Sequence, residues 1–301
     1  MKNIIKQFAF ILFAIAIMPG VISCDKEEKR PETEQPSPEE EGAVKVLAIG
    51  NSFSEDALEG YLYELAEAAD KSIVIGNLYI GGATLTTHWN NVTADNAAYQ
   101  YRKIDMEGNR TNTRNTRIRT AIVDEEWDYI VLQQASSLSG RYVTYRPFLT
   151  DLAAYVEEHA TNADMALILH QVWAYAQHSD HNGFANYDND QLTMYEAIVE
   201  TVDRAKALAN ISFVVPTGTA IQNGRTSAIG DQFDRDGYHL DLGIGRYTAS
   251  CVWFEALFGE SVIGNPYRPA DVSPREAEIA QHAAHRAMEK PNEISDMVDY
   301  R

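Results

Sequence analysis

The sequence has few cysteines, few basic residues and no apolar run long enough to cross a membrane. Its only cysteines, Cys24 and Cys251, are too few for a disulfide framework or a cysteine-based zinc site. The apolar run of residues 8–18 is shorter than the roughly 20 residues that a bilayer span needs. Lys and Arg number 25 against 44 Asp and Glu, a net charge of −19. That balance excludes nucleic acid as a partner, because phosphate contacts need clustered Lys and Arg.

Cofactor and metal motifs are also missing. The sequence contains neither Gly-x-x-x-x-Gly-Lys-Ser/Thr nor Gly-x-Gly-x-x-Gly, so no nucleotide cofactor is expected. His178, Asp180 and His181 lie close together, but no further ligand follows at a recognised spacing. We therefore predict no metal site. With 45% apolar and 10% aromatic residues, the chain has the composition of a globular protein.

The first 23 residues have the pattern of a signal peptide, with Lys2 and Lys6 before the apolar run. The sequence Val21-Ile22-Ser23-Cys24 resembles the lipobox of bacterial lipoproteins, which implies that Cys24 is the lipidated first residue of the mature protein. The alternative is an ordinary signal peptide that happens to contain a cysteine.

Residues 24–42 are expected to be a flexible acidic tether. Residues 25–42 hold eight acids, three bases and three prolines, and they contain no large apolar residue that could be buried. The segment Lys26-Glu27-Glu28 also resembles a surface-export signal of Gram-negative lipoproteins. These resemblances imply a lipid-anchored protein of the Gram-negative cell envelope. We predict the outer membrane with exposure at the surface, and the inner membrane is the alternative.

The remainder, residues 43–301, is predicted to be one α/β domain. Five apolar runs alternate with helical patterns, which indicates a parallel sheet covered on both faces. The predicted strands are residues 45–50, 73–80, 128–132, 166–170 and 211–215. The main predicted helices are residues 146–159, 192–209, 244–258 and 274–288, and Cys251 in the third of these is expected to be buried and inert.

Between residues 90 and 120 lies a polar insertion, which is predicted to be a loop. It is the one basic island in an acidic protein, with Arg102, Lys103, Arg110, Arg114, Arg117 and Arg119. These side chains either pair with acidic neighbours or steer an anionic substrate towards a site.

Ser52 follows the first predicted strand, in the turn Gly50-Asn51-Ser52. Ligands of parallel sheets bind at the carboxyl ends of the strands, and amides at a helix amino terminus can hold an oxyanion. Ser52-x-x-Glu55 also fits a capping box, in which the serine only satisfies helix amides, although Ser54 could cap instead. The turn alone leaves both interpretations open.

Asp236 and His239 lie beyond the last predicted strand, three residues apart in a loop that contains Gly237. This spacing lets the carboxylate hold one ring nitrogen while the other faces a nucleophile, as in serine hydrolases. The alternative is a surface loop with an incidental histidine.

With these blocks, the chain resembles the SGNH (GDSL-type) hydrolases over most of residues 43–290. The resemblance implies a three-layer α/β/α, flavodoxin-like fold and a triad of Ser52, His239 and Asp236. Asn51 stands where that family has Asp. A glycine after the second strand donates an oxyanion amide in the family, and of Gly81 and Gly82 we choose Gly82.

The third family block, Gly-x-Asn-Asp, is replaced here by Leu132-Gln133-Gln134. A glutamine amide can donate the hydrogen bond of the missing asparagine, so Gln133, or Gln134 beside it, is a candidate oxyanion donor. A glutamine here also resembles the sialate-esterase-like, carbohydrate-acting branch of the superfamily. Alternatively, the two glutamines simply close the strand.

Aromatic residues near the predicted site could stack on a sugar ring, and the candidates are Trp89, Trp173 and Tyr238. Each could instead pack in the core. The resulting prediction is a serine esterase that hydrolyses O-acyl, above all O-acetyl, esters on a small-molecule or glycan substrate. The alternatives are a glycan-binding lipoprotein of the same fold without turnover, and an esterase or lipase for lipid acyl chains.

Overall fold

A computed structural model describes residues 42–301, which fold around a seven-stranded sheet. The strands in chain order are β1 Val44–Gly50, β2 Ile73–Tyr79, β3 Tyr99–Ile104, β4 Arg110–Thr116, β5 Tyr129–Leu132, β6 Ala166–His170 and β7 Val214–Val215. Across the sheet their order is β4-β3-β2-β1-β5-β6-β7. This order places β1 at the centre, with β2 and β5 on either side.

Helices connect most of the strands. They are α1 Ser52–Leu58, α2 Leu62–Glu67, α3 Leu85–Thr93, α4 Ile118–Ile122, α5 Phe148–His159, α6 Gln191–Lys206, α7 Thr217–Arg225, α8 Ile244–Phe258 and α9 Pro274–Glu289. Short 3₁₀ turns are Ser136–Leu138, Tyr142–Tyr145, Asn182–Tyr187 and Val298–Tyr300.

The predicted α/β class is confirmed, but the predicted five-stranded sheet is wrong. The five predicted strands do form one parallel group, β2-β1-β5-β6-β7. The sheet has two further strands, β3 and β4, which pair antiparallel beside β2. Both lie in the insertion that was predicted to be a loop. Six of the seven residues of β4 are exposed, so this edge strand needs no apolar pattern in its sequence.

All the helices described except α6 fall into two groups by their contacts. One group is α1, α2, α7, α8 and α9, and the other is α3, α4 and α5, whereas α6 contacts α7 and the turns Tyr142–Tyr145 and Asn182–Tyr187. Between the two groups the apolar centre of β1 is buried, with Val46, Leu47 and Ile49 fully inaccessible. Cys251 is free and buried in α8, where desolvation raises the pKa of its thiol well above the usual value.

Four of the six basic side chains of the insertion pair with acidic neighbours. Arg102 lies 3.1 Å from Glu55, Lys103 lies 2.7 Å from Asp124, and Arg110 lies 3.2 Å from Glu64. Arg117 similarly contacts Asp95. This pairing favours a solvated hairpin over a rim that steers anions, because the charges of these cations are already matched.

The predicted signal peptide, the lipidated Cys24 and the tether up to residue 41 lie outside the described residues. Within residues 42–301 no helix has both the length and the apolar character to span a bilayer. In the same part of the chain, no group of His, Cys, Asp and Glu side chains is arranged to hold a metal ion.

Candidate active site

Ser52 is the first residue of α1, and only Asn51 separates it from the carboxyl end of β1. The side chain of Asn51 caps this helix, because its Oδ1 accepts the Phe53 N–H at 2.9 Å. The capping box considered for Ser52 is therefore not formed. The Ser52 hydroxyl instead lies 2.9 Å from Nε2 of His239.

Asp236 holds His239 through both the ring and the backbone. Its Oδ2 lies 2.7 Å from Nδ1 of His239, and its Oδ1 accepts the His239 N–H at 2.7 Å. Desolvation raises the pKa of Asp236, but hydrogen bonds from His239 and from the Tyr238 N–H outweigh it and lower the pKa below its usual value. Asp236 is thus ionised near neutral pH and fixes the orientation of the imidazole.

The loop that carries Asp236 and His239 is anchored to its surroundings. Gly237 has φ +86°, and a Cβ there would lie 2.9 Å from the backbone of Ser179, so only glycine fits this turn. Its N–H donates to Asp234 at 2.7 Å. On the other side, the Leu240 N–H donates to the buried carboxylate of Asp56 at 2.9 Å.

A cleft of about 350 Å³ opens beside Ser52. It is lined by Asn51, Ser52, Phe53, Tyr79, Gly81, Gly82, Ala135, Ser136, Ser137, His181, Tyr238 and His239. Gly82 has φ +65°, in a tight turn after β2. Among residues 42–301 the N–H groups of Ser52, Gly81 and Gly82 have no hydrogen-bond acceptor, so all three are available to a ligand in the cleft.

Neither glutamine of the altered third block belongs to the cleft lining. The Nε2 group of Gln133 donates to Asn51 Oδ1 at 2.8 Å, and its Oε1 lies 2.8 Å from Nδ1 of His170. Gln134 donates to the carbonyl of Thr144 and accepts the Leu85 N–H at the start of α3. The Nε2 groups of Gln133 and Gln134, which were the expected oxyanion donors, therefore both donate to protein acceptors.

Of the three aromatic candidates, only Tyr238 lines the cleft. Its ring lies next to that of His239 at a centroid distance of 4.2 Å. Trp173 is fully buried, stacks on Phe53 at 4.1 Å and donates its Nε1–H to the Tyr238 carbonyl, so it supports the site from behind. Trp89, on α3, packs against the core and is not part of the cleft lining.

Sequence reasoning missed His181, which contributes to the cleft wall. Its Nδ1 accepts the Gly183 N–H at 2.9 Å, and its ring lies against Tyr238 at 4.8 Å. In the sequence, His181 appeared only as one of several metal-like residues in a polar loop. Its position after β6, at the same carboxyl edge as Ser52, was the available signal.

The structure thus defines an α/β protein with a mixed seven-stranded sheet and a Ser–His–Asp arrangement at the carboxyl edge of its parallel strands. Residues 45–287 match the model of DUF4886, which is described as a domain of unknown function. The chain therefore belongs to the DUF4886 family.

A DUF4886 protein from Bacteroides uniformis is 49% identical with a TM-score of 0.85, and the match covers 86% of this chain and 100% of that chain. A proposed SGNH hydrolase from Slackia heliotrinireducens is 21% identical, with a TM-score of 0.45, over 71% of this chain and 98% of that chain. A catalytic mutant of an acetylxylan esterase from Geobacillus stearothermophilus is 13% identical, with a TM-score of 0.46, over 75% and 97% respectively. No curated protein matches the chain significantly.

Proposed function

We propose that this protein is a serine esterase in which Ser52 is the nucleophile, His239 the general base and Asp236 the residue that orients the base. The observation that carries the proposal is the continuous contact from Ser52 Oγ to His239 Nε2 at 2.9 Å and from His239 Nδ1 to Asp236 at 2.7 Å. Both distances lie within the hydrogen-bond reach that proton transfer requires.

In the proposed reaction, Ser52 Oγ attacks the ester carbonyl while its proton passes to His239 Nε2. The N–H groups of Ser52 and Gly82 hold the oxyanion of the tetrahedral intermediate. The intermediate then expels the alcohol, which takes the proton from His239, and leaves an acyl-serine. Water then attacks the acyl-serine while its proton passes to His239. The second tetrahedral intermediate expels Ser52 Oγ, which takes this proton from His239, and the carboxylic acid is released. Gln133 is left out of the oxyanion site because its amide binds Asn51.

The proposed substrate is a short O-acyl ester, in particular an O-acetyl group on a carbohydrate. The cleft of about 350 Å³ has a wall of polar and aromatic side chains, with Ser136, Ser137 and Tyr238 among them. Aromatic faces pack well against sugar rings, and serine hydroxyls can bind sugar hydroxyls. Such a wall suits an acylated sugar better than a long acyl chain.

Replacing Ser52 tests this function. We expect Ser52→Ala to lower kcat for 4-nitrophenyl acetate by roughly 10³-fold or more, because the nucleophile is lost while the oxyanion donors remain. Ser72→Ala is the matched control, since Ser72 is exposed before β2 at the opposite edge of the sheet. Equal activity of Ser52→Ala and wild type would contradict the proposal. Binding of an acetylated xylo-oligosaccharide by the wild type without release of acetate would favour the glycan-binding alternative.

We further propose that residues 1–23 are a lipoprotein signal peptide and that Cys24 carries the lipid that holds residues 43–301 at the envelope of a Gram-negative bacterium. The apolar run of residues 8–18 and the following Val21-Ile22-Ser23-Cys24 support this assignment. Incorporation of labelled palmitate into the wild type and not into Cys24→Ser is the expected result. Equal labelling of the two proteins would rule out Cys24 as the lipidation site.

A further inference from the structure

A line of buried polar side chains crosses the carboxyl ends of four neighbouring parallel strands. Asn51 follows β1, Gln133 follows β5, His170 ends β6 and Thr217 follows β7. Each side chain is at most 2% exposed. The successive contacts are 2.8 Å from Asn51 to Gln133, 2.8 Å from Gln133 to His170 and 3.1 Å from His170 to Thr217.

Backbone groups fix the direction of every hydrogen bond in this line. The Phe53 N–H can only donate and the Ala83 carbonyl can only accept, so Asn51 places its Oδ1 towards Phe53 and its Nδ2 towards Ala83. Gln133 must then present Nε2 to Asn51 Oδ1 and Oε1 to His170.

An amide oxygen can only accept, so Nδ1 of His170 carries a hydrogen and donates it to Gln133. Burial lowers the pKa of His170 to about 3, which keeps the ring neutral near pH 7. Its Nε2 therefore accepts the hydroxyl hydrogen of Thr217. Every member of the line has a defined donor and acceptor, an arrangement that rigidifies a buried polar network.

The line ends at the turn that carries Gly82. Asn51 Nδ2 donates to the carbonyl of Ala83 at 2.9 Å, and the Ala83 N–H donates to the carbonyl of Ile80 at 3.1 Å. These two bonds fix Ala83, the residue after Gly82. The N–H of Gly82 itself has no acceptor in the described residues. The Asn51 side chain also helps to position Ser52, because its Oδ1 accepts the N–H of the next residue, Phe53.

We propose that Gln133 and His170 are positioning residues that, through Asn51, hold the Gly82 N–H in place to bind the oxyanion. This role rests on the proposed esterase function. It gives the altered third block a function different from the expected one: the glutamine stabilises the turn that carries the donor and is not the donor itself. Loss of the Gln133 amide leaves buried groups on Asn51 and His170 without their partner, so the turn loosens.

Gln133→Leu removes this link, and Gln281→Leu is the matched control. Gln281, on α9, is also a buried glutamine whose amide bonds to protein groups, here Tyr247, Asn265 and Gly264. In the full chain, hydrogen–deuterium exchange of the peptide covering residues 79–85 is expected to rise at least tenfold in Gln133→Leu. The control should keep the wild-type rate there. Unchanged exchange in a folded Gln133→Leu protein would overturn the proposal.

Kinetics with 4-nitrophenyl acetate give the second measurement. We expect kcat of Gln133→Leu to fall by roughly 10- to 100-fold with KM within about twofold of wild type, because the oxyanion forms only after binding. Faster exchange with unchanged kcat would overturn the positioning role. Wild-type protein that cleaves no ester would overturn the esterase function itself, and the exchange measurement would still report on the turn.

Two variants of His170 separate positioning from packing. His170→Asn keeps an N–H donor that can reach Gln133, whereas His170→Phe keeps a ring and removes the donor. We expect kcat of His170→Asn to stay within about threefold of wild type and kcat of His170→Phe to fall at least tenfold. Equal kcat in both variants would contradict a role for this hydrogen bond.

Discussion

Asn51 bonds three separate parts of the site. Its amide accepts the Phe53 N–H and the Gln133 amide, and it donates to the carbonyl of Ala83. Aspartate, the residue expected at this position from the SGNH resemblance, has no hydrogen to donate to Ala83 when ionised. Asparagine in place of the aspartate of the SGNH pattern therefore has a physical reason in this chain.

We expect Asn51→Asp to lower kcat for an aryl acetate by roughly 10- to 100-fold, because the turn beside Gly82 loses its anchor and a charge is buried. Asn265→Asp is the matched control, since Asn265 also donates to a backbone carbonyl, of Leu65, and accepts a backbone N–H, of Tyr267. Wild-type kcat in Asn51→Asp, measured by the same assay, would show that the anchor is dispensable.

The resemblance to the SGNH hydrolases, together with the positions of the blocks after predicted strands, selected Ser52, Asp236 and His239, and the structure brings these three side chains into contact. The destination of Gln133 could not be predicted in the same way. A glutamine side chain is flexible and both donates and accepts, and its partners Asn51 and His170 lie 82 and 37 residues away. Only the packed sheet decides which of these groups it meets.

At the scale of elements, α1 and the loop between α7 and α8 must keep a fixed distance for Ser52 to reach His239. Asp56, one turn along α1 from Ser52, is fully buried and accepts the Leu240 N–H next to His239. The same carboxylate pairs with Arg246 at 2.6 Å and with Arg235 at 3.2 Å. One side chain therefore joins the element of the nucleophile to the element of the base.

Asp56→Asn is expected to lower the free energy of unfolding by roughly 1–3 kcal/mol. This value is below that for a fully buried pair, because both arginines are partly exposed. Urea unfolding measures the change, and kcat should fall as well because the loop of His239 loosens. Asp95→Asn is the control: Asp95 forms a surface pair with Arg117, worth about 0–1 kcal/mol. Equal loss of stability in the two variants would contradict the anchoring role.

The elements differ in how far their sequences predicted them. The parallel strands β1, β2, β5 and β6 are buried apolar runs, and the sequence located them within one or two residues. The hairpin of β3 and β4 was missed because β4, with the sequence RTNTRNT, is polar and exposed at the sheet edge. Pairing with its neighbour makes it a strand, and apolar periodicity does not record that pairing.

At the scale of the whole molecule, two fully buried histidines make stability depend on pH. Burial lowers the pKa of His88 to about 4 and that of His170 to about 3, from an ordinary value of 6.5. Between these values and 6.5 the unfolded chain binds two protons that the folded protein does not. Their contribution to stability is therefore complete above pH 6.5 and is lost as the pH falls, down to about 4 for His88 and about 3 for His170.

We expect the free energy of unfolding, measured with urea, to fall by about 1.4 kcal/mol per pH unit for each histidine below pH 6.5. Carboxylates titrate in the same range: those with a lowered pKa, such as Asp236, add to the loss, whereas relief of repulsion in a chain of net charge −19 opposes it. The double variant His88→Asn, His170→Asn keeps every carboxylate and removes both histidine titrations. Between pH 6.5 and 5 its free energy of unfolding should therefore decline less steeply with pH than that of wild type. The difference in slope corresponds to the uptake of close to two protons on unfolding. Parallel declines in the two proteins would show that these histidines do not govern acid stability.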